Sequence, residues 1–139
     1  MGKVTTCYKG DMLFESKLGE HTIVTDVPAS MGGKGRAPTP PELFVASLGA
    51  CVAAFVANYC GQADVDLRDM SVDVTFDKIG NPARLSNFRV LINIPHGDCA
   101  AREQAILRVA EHCPVHETIM NVDDIEIALH TQQTVPLPV

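Results

Sequence analysis

From Pro40 to Cys60 the chain reads P-P-E-L-F-V-A-S-L-G-A-C-V-A-A-F-V-A-N-Y-C, and no charged residue occurs between Glu42 and Asp64. Phe44, Leu48, Cys51, Val52, Phe55 and Tyr59 recur at helical intervals. Ala46, Gly49, Ala50, Ala53 and Ala57 form a stripe of small side chains beside them. A helix that is apolar on every side has to be buried. Pro40 and Pro41 suit its first turn, Glu42 complements the positive end of its dipole, and Gly61 is the expected stop. The run approaches the threshold of about 18 to 20 apolar residues for a membrane span. It lacks an aromatic belt and basic flank, however, and the rest of the chain reads as strands in need of a sheet. The expectation is therefore the central helix of a domain outside the membrane.

The 139 residues suit one domain, 1–139, with one core. A net charge of −6 argues against nucleic acid and anionic lipid as partners. No apolar export signal opens the chain, and its five cysteines follow no disulfide or zinc-ribbon spacing, so reduced thiols in the cytoplasm are expected.

Val4–Tyr8, Met12–Lys17 and His21–Asp26 are β-rich runs separated by turn signals, which predicts a three-stranded meander. Pro28–Thr39 holds Gly32, Gly33 and Gly35 with Lys34 and Arg36. It matches no phosphate-loop pattern and reads as a lid over a site. Beyond the central helix, Ser71–Lys78 alternates strictly and Leu85–Ile94 returns as its hairpin partner. Asp98 is the expected cap of a helix running to Glu111, with Ile106, Val109, Ala110 and Cys113 on its buried stripe. Pro114 ends that helix and begins another through Met120, which puts Cys113 at an N-cap where free N–H groups favour thiolate. Ile125–His130 reads as a last strand and Thr131–Val139 as a tail. The order βββ-α-ββ-αα-β, built from hairpins, predicts an α+β fold with an antiparallel sheet packed on the long buried helix.

Two thiols stand out, Cys51 within the apolar helix and Cys113 between His112 and His116. Such a pair suits peroxide reduction through a sulfenic acid and a disulfide. Cys/His acyl transfer lacks a visible third group, and zinc held by Cys51, Cys113 and His116 lacks a supporting second motif. For a direct disulfide the two Cα atoms must come within about 4.4 to 6.8 Å.

P-P-E-L-F-V-A-S-L-G-A-C and H-C-P-V-H-E-T-I, in that order in one domain, resemble the OsmC/Ohr family of osmotically inducible and organic-hydroperoxide-resistance proteins, and more closely its broader OsmC-like branch. The resemblance implies an intertwined homodimer with interfacial sites, Cys51 as peroxidatic nucleophile and Cys113 as resolver. It also implies a thiol or dithiol reductant, and neither metal nor other cofactor. In the peroxidase branches an arginine of the meander and a glutamate ten residues before the first cysteine polarise the thiolate. Here no arginine precedes Arg36, and the position ten before Cys51 is Pro41, so Arg36 and Glu42 are the nearest counterparts. Phe44, Leu48 and His116 are the expected walls of an apolar substrate site. Cys7, Cys60 and Cys99 are assigned to packing. A non-catalytic OsmC-like module with an apolar interface pocket is the alternative.

Overall fold

The computed structural model describes residues 1–132. Strands β1 (Thr5–Tyr8), β2 (Phe14–Leu18) and β3 (His21–Thr25) form an antiparallel meander. Its register pairs Thr6 with Ser16 and Ser16 with Ile23. Helix α1 spans Pro40–Gln62. β4 (Ser71–Ile79) and β5 (Arg84–Asn93) form a separate antiparallel hairpin with an irregularity between Thr75 and Asp77. Two helices follow, α2 (Glu103–Glu111) and α3 (Pro114–Asn121).

The central helix forms as its sequence requires. Thr39 is its N-cap, Pro40 and Pro41 occupy the first turn, and Glu42 completes a reciprocal capping pair with Thr39. It runs past Gly61, and the chain leaves the helical path at Ala63. α2, α3, β4 and β5 all pack on it. The core comprises Leu48, Val52, Val56 and Cys60 of α1 with Ile106 and Cys113.

Three sequence-based expectations change here. α1 is buried along one stripe only, Val45, Leu48, Val52, Val56 and Cys60, while Phe44 and Phe55 are 45% and 39% exposed. One hairpin and two short helices cannot cover a helix that is apolar on every face. By length and composition α1 would also satisfy a bilayer, with 33% of its most apolar window buried. α2 is capped at Arg102, not Asp98, whose carboxylate accepts from the Ala100 N–H in the preceding turn. Finally, 125–130 is not part of any strand formed among the described residues, and Ile125, Ile127 and Leu129 stand exposed. Within the tail, 133–139 lies outside the described residues.

Candidate functional site

Cys51 lies at the start of the fourth turn of α1, about one turn beyond Leu48 and about two beyond Phe44, and is half-buried against the core. Cys113 is the N-cap of α3, with Pro114 at the first helical position, and is fully buried. Its Sγ accepts the His116 N–H at 3.3 Å. Because α3 packs on α1, the Cys51 thiol comes beside the Cys113 thiol, close enough to disfavour its ionisation.

The expected thiolate character of Cys113 is not what this environment produces. Burial pushes its pKa up and is the largest effect; the His116 N–H opposes it, and neighbouring Cys51 adds to the rise. The N–H groups of His116 and Val115 at the cap are outweighed by the loss of water. Cys113 is thus held as a thiol beside a partner that solvent reaches more readily.

The histidines divide. His112 Nδ1 meets Glu117 Oε1 at 2.9 Å across the helix break, on the outside. His116 turns inward: its Nδ1 is buried and has no hydrogen-bond partner among the described residues. It lines a hollow of about 170 Å³ with Val52, Ile92, Leu107 and Glu111. Leu48 is core and only 3% exposed, whereas Phe44 stands at the surface and meets Phe88 edge-on at 6.2 Å. A larger, more apolar groove of about 490 Å³ opens at the start of α1, lined by residues such as Val27, Met31, Ile79 and Leu85.

Arg36 and Glu42 are engaged elsewhere. Arg36 Nε lies 2.7 Å from Asp26 Oδ2, its backbone N–H donates to the same oxygen at 3.0 Å, and a terminal guanidinium nitrogen donates to the Asp11 carbonyl at 2.9 Å. Asp26 is fully buried. The Arg36 guanidinium holds its carboxyl far below the usual carboxylate range against the opposing effect of burial, helped by the N–H groups of Arg36, Val27 and Lys34. The glycine segment, expected as a lid, is thus pinned at its base. Glu42 accepts the Thr39 hydroxyl at 2.9 Å. Nine residues of helix set it about 13 Å along α1 from Cys51 and about 180° around it, so one chain does not bring these two together.

Asp26 is the residue that sequence reasoning passed over. Its only signal is a carboxylate ending a β-rich run just before a loop that carries a lone arginine.

An α+β chain whose central helix and final helix cap present two apposed thiols is a cysteine protein of a recognisable architecture. The profile of the OsmC-like protein family matches residues 33–128, and the chain belongs to that family. No curated protein sequence matches it. Among solved structures it is similar to a protein of Psychrobacter arcticus described as a candidate osmotic-stress-induced and detoxification-response protein (23% identity, TM-score 0.75, covering 85% of this chain and 88% of that one). It is also similar to an OsmC-like protein of Mycoplasma pneumoniae (20%, 0.66, 88% and 89%). A third is an organic hydroperoxide resistance protein OsmC of Legionella pneumophila (20%, 0.61, 86% and 88%). At these identities the likeness is one of fold, and it includes the antiparallel strands and central helix expected from the sequence.

Proposed function

We propose that the chain is a thiol-dependent hydroperoxide reductase in which Cys51 attacks the peroxide and Cys113 resolves the product. The observation that carries this reading is the apposition of two free thiols from separate elements, one half-buried and the other sealed. The Cys51 thiolate takes the distal oxygen, the O–O bond breaks, and the alcohol leaves with a proton. Cys113 then displaces water from the Cys51 sulfenic acid, forming a disulfide that an external thiol or dithiol must reduce. Sulfur alone carries these steps, with no metal or organic cofactor. The apolar walls around the pair suit an organic peroxide.

The reading includes a homodimer. The exposed Phe55 with Ala46, Ala50 and Ala54 on α1, and the outward Ile125, Ile127 and Leu129, are apolar surface that a second copy would cover. A non-catalytic binding module is the second reading. It is favoured by the engagement of Arg36 with Asp26 and of Glu42 with Thr39.

Reduced protein should consume cumene hydroperoxide with turnover when a dithiol is supplied, and Cys51→Ser should fall to the background rate. Cys113→Ser should react once and accumulate a sulfenic acid that a dimedone probe traps. Wild-type consumption no faster than that of Cys51→Ser would leave the binding module. Sedimentation as a monomer at micromolar concentration would remove the dimer.

A further inference from the structure

A second pair of thiols lies at the other end of α1. Cys60, in its last turn, is fully buried, and Cys99, in the turn before α2, is partly exposed and packs against the cluster that contains Cys60. Arg102 joins the two sites. Its backbone N–H donates to the Cys99 carbonyl at 2.8 Å, while its guanidinium donates to the Tyr59 hydroxyl at 3.3 Å, beside Cys60. Cys99 also borders a groove of about 400 Å³ between β5 and α2, walled by Ile92, Ile94, Ile106 and Leu107.

We propose that Cys99 and Cys60 are a second redox-active dithiol, in which Cys99 reacts with an organic hydroperoxide and Cys60 closes a disulfide that ties the end of α1 to the turn before α2. Cys60 registers its neighbour: burial raises its pKa, Cys99 adds to that rise, and the Arg102 guanidinium opposes it. Exposure assigns the order. Cys99 is the sulfur that peroxide reaches, and Cys60, protected from solvent, is the one that waits. The Cys99 thiolate takes the distal oxygen and becomes a sulfenic acid as the alkoxide collects a proton and leaves as the alcohol. Cys60 sulfur then attacks Cys99 sulfur, the S–O bond breaks, and water departs. One peroxide is reduced by two electrons and two thiols become one disulfide. The turn carrying Cys99 lies outside any helix. This inference stands apart from the Cys51–Cys113 reading, because Cys60 lies nine residues, about 13 Å of helix, beyond Cys51.

The test removes the other three thiols. Cys7→Ser/Cys51→Ser/Cys113→Ser protein, treated with a small excess of cumene hydroperoxide and then alkylated under denaturing conditions, should lose both remaining alkylatable thiols and 2 mass units. Retention of both thiols, or oxidation of Cys99 alone to a sulfinic acid, would overturn the proposal. Should the triple variant fail to fold, tryptic mapping of oxidised wild-type protein decides the same point. Cys99 is the only cysteine of segment 90–102, so that segment should appear disulfide-linked to 37–68, with fragmentation placing the bond on Cys60 and not Cys51. Segment 90–102 found unlinked, or bonded to any cysteine other than Cys60, would overturn it. A result of either sign leaves the outcome at Cys51 and Cys113 independent.

Discussion

Hairpin β4–β5 lies along α1 and half-buries Val72, Val74, Phe76 and Phe88, whereas β1 of the meander is exposed at every position and only Thr25 of β3 is buried. Both regions are antiparallel ladders in which most backbone groups are paired. The difference between them is apolar cover. A ladder without a face to bury is marginal by itself, since its hydrogen bonds largely exchange for those with water. The meander is joined to the rest at its base, where Asp26 takes the Arg36 guanidinium and the Asp26 N–H reaches the Pro38 carbonyl at 3.1 Å. Stability in this chain therefore concentrates in 40–121, and 1–38 is held by a polar anchor.

The strongest way to sharpen that contrast is Leu48→Ala, which empties the centre of the core and should cost about 2 to 5 kcal/mol in denaturant unfolding. A loss below about 1 kcal/mol would mean that the core is not where the burial pattern puts it.

Asp26→Asn acts on the anchor. The folded carboxyl has a depressed pKa, so its contribution is fully present above the ordinary value near 4 and fades as pH falls below it towards the folded pKa. Hydrogen exchange of 27–38 should be faster in the variant at pH 6. The gap to wild type should narrow steadily as pH drops below about 4, where the carboxyl of the opened segment takes up a proton that the folded one still resists. A gap that stays constant with pH would show that the ion pair contributes nothing.

Thr6→Ala is the smallest change. It removes a cross-strand hydroxyl pair with Ser16 at 2.8 Å on exposed β1 and should cost about 0.2 to 1 kcal/mol. A larger loss would show that the meander is better supported than its exposure suggests.

The same division governs what could be read from the chain. Elements with their own local signal were legible: the capped, proline-started α1, the strict alternation of β4, and Pro114 starting a helix that leaves Cys113 at its cap. The apposition of Cys51 and Cys113 followed the two motifs around them. What depended on other parts of the molecule was not legible. Periodicity grouped Phe44, Cys51, Phe55 and Tyr59 along one side of a helix expected to be buried all round, yet Val45 and Val56 are buried while Phe44 and Phe55 stand exposed, because the covering elements decide which face turns inward. The Cys113 ionisation was misjudged for a related reason, since a cap is visible in sequence and desolvation is not. Asp26 needed the loop geometry to reveal Arg36 folded back onto it. The alternation of Ile125, Ile127 and Leu129 marks strand chemistry, but a strand also requires a neighbour.

The anchor also predicts how the glycine loop would tolerate change. Gly32 and Gly35 have φ of 89° and 62°, where a side chain costs moderate backbone strain and nothing crowds them closely. Gly33 is different: a Cβ there would strike the Val27 carbonyl oxygen and stand 2.5 Å from Asp26 Oδ1. In a library of every residue at each loop position, 32 and 35 should admit asparagine or aspartate at reduced abundance. Position 33 should instead be a hole in the map, depleted of all replacements alike, because even a methyl group would evict the carboxylate that holds the loop in place.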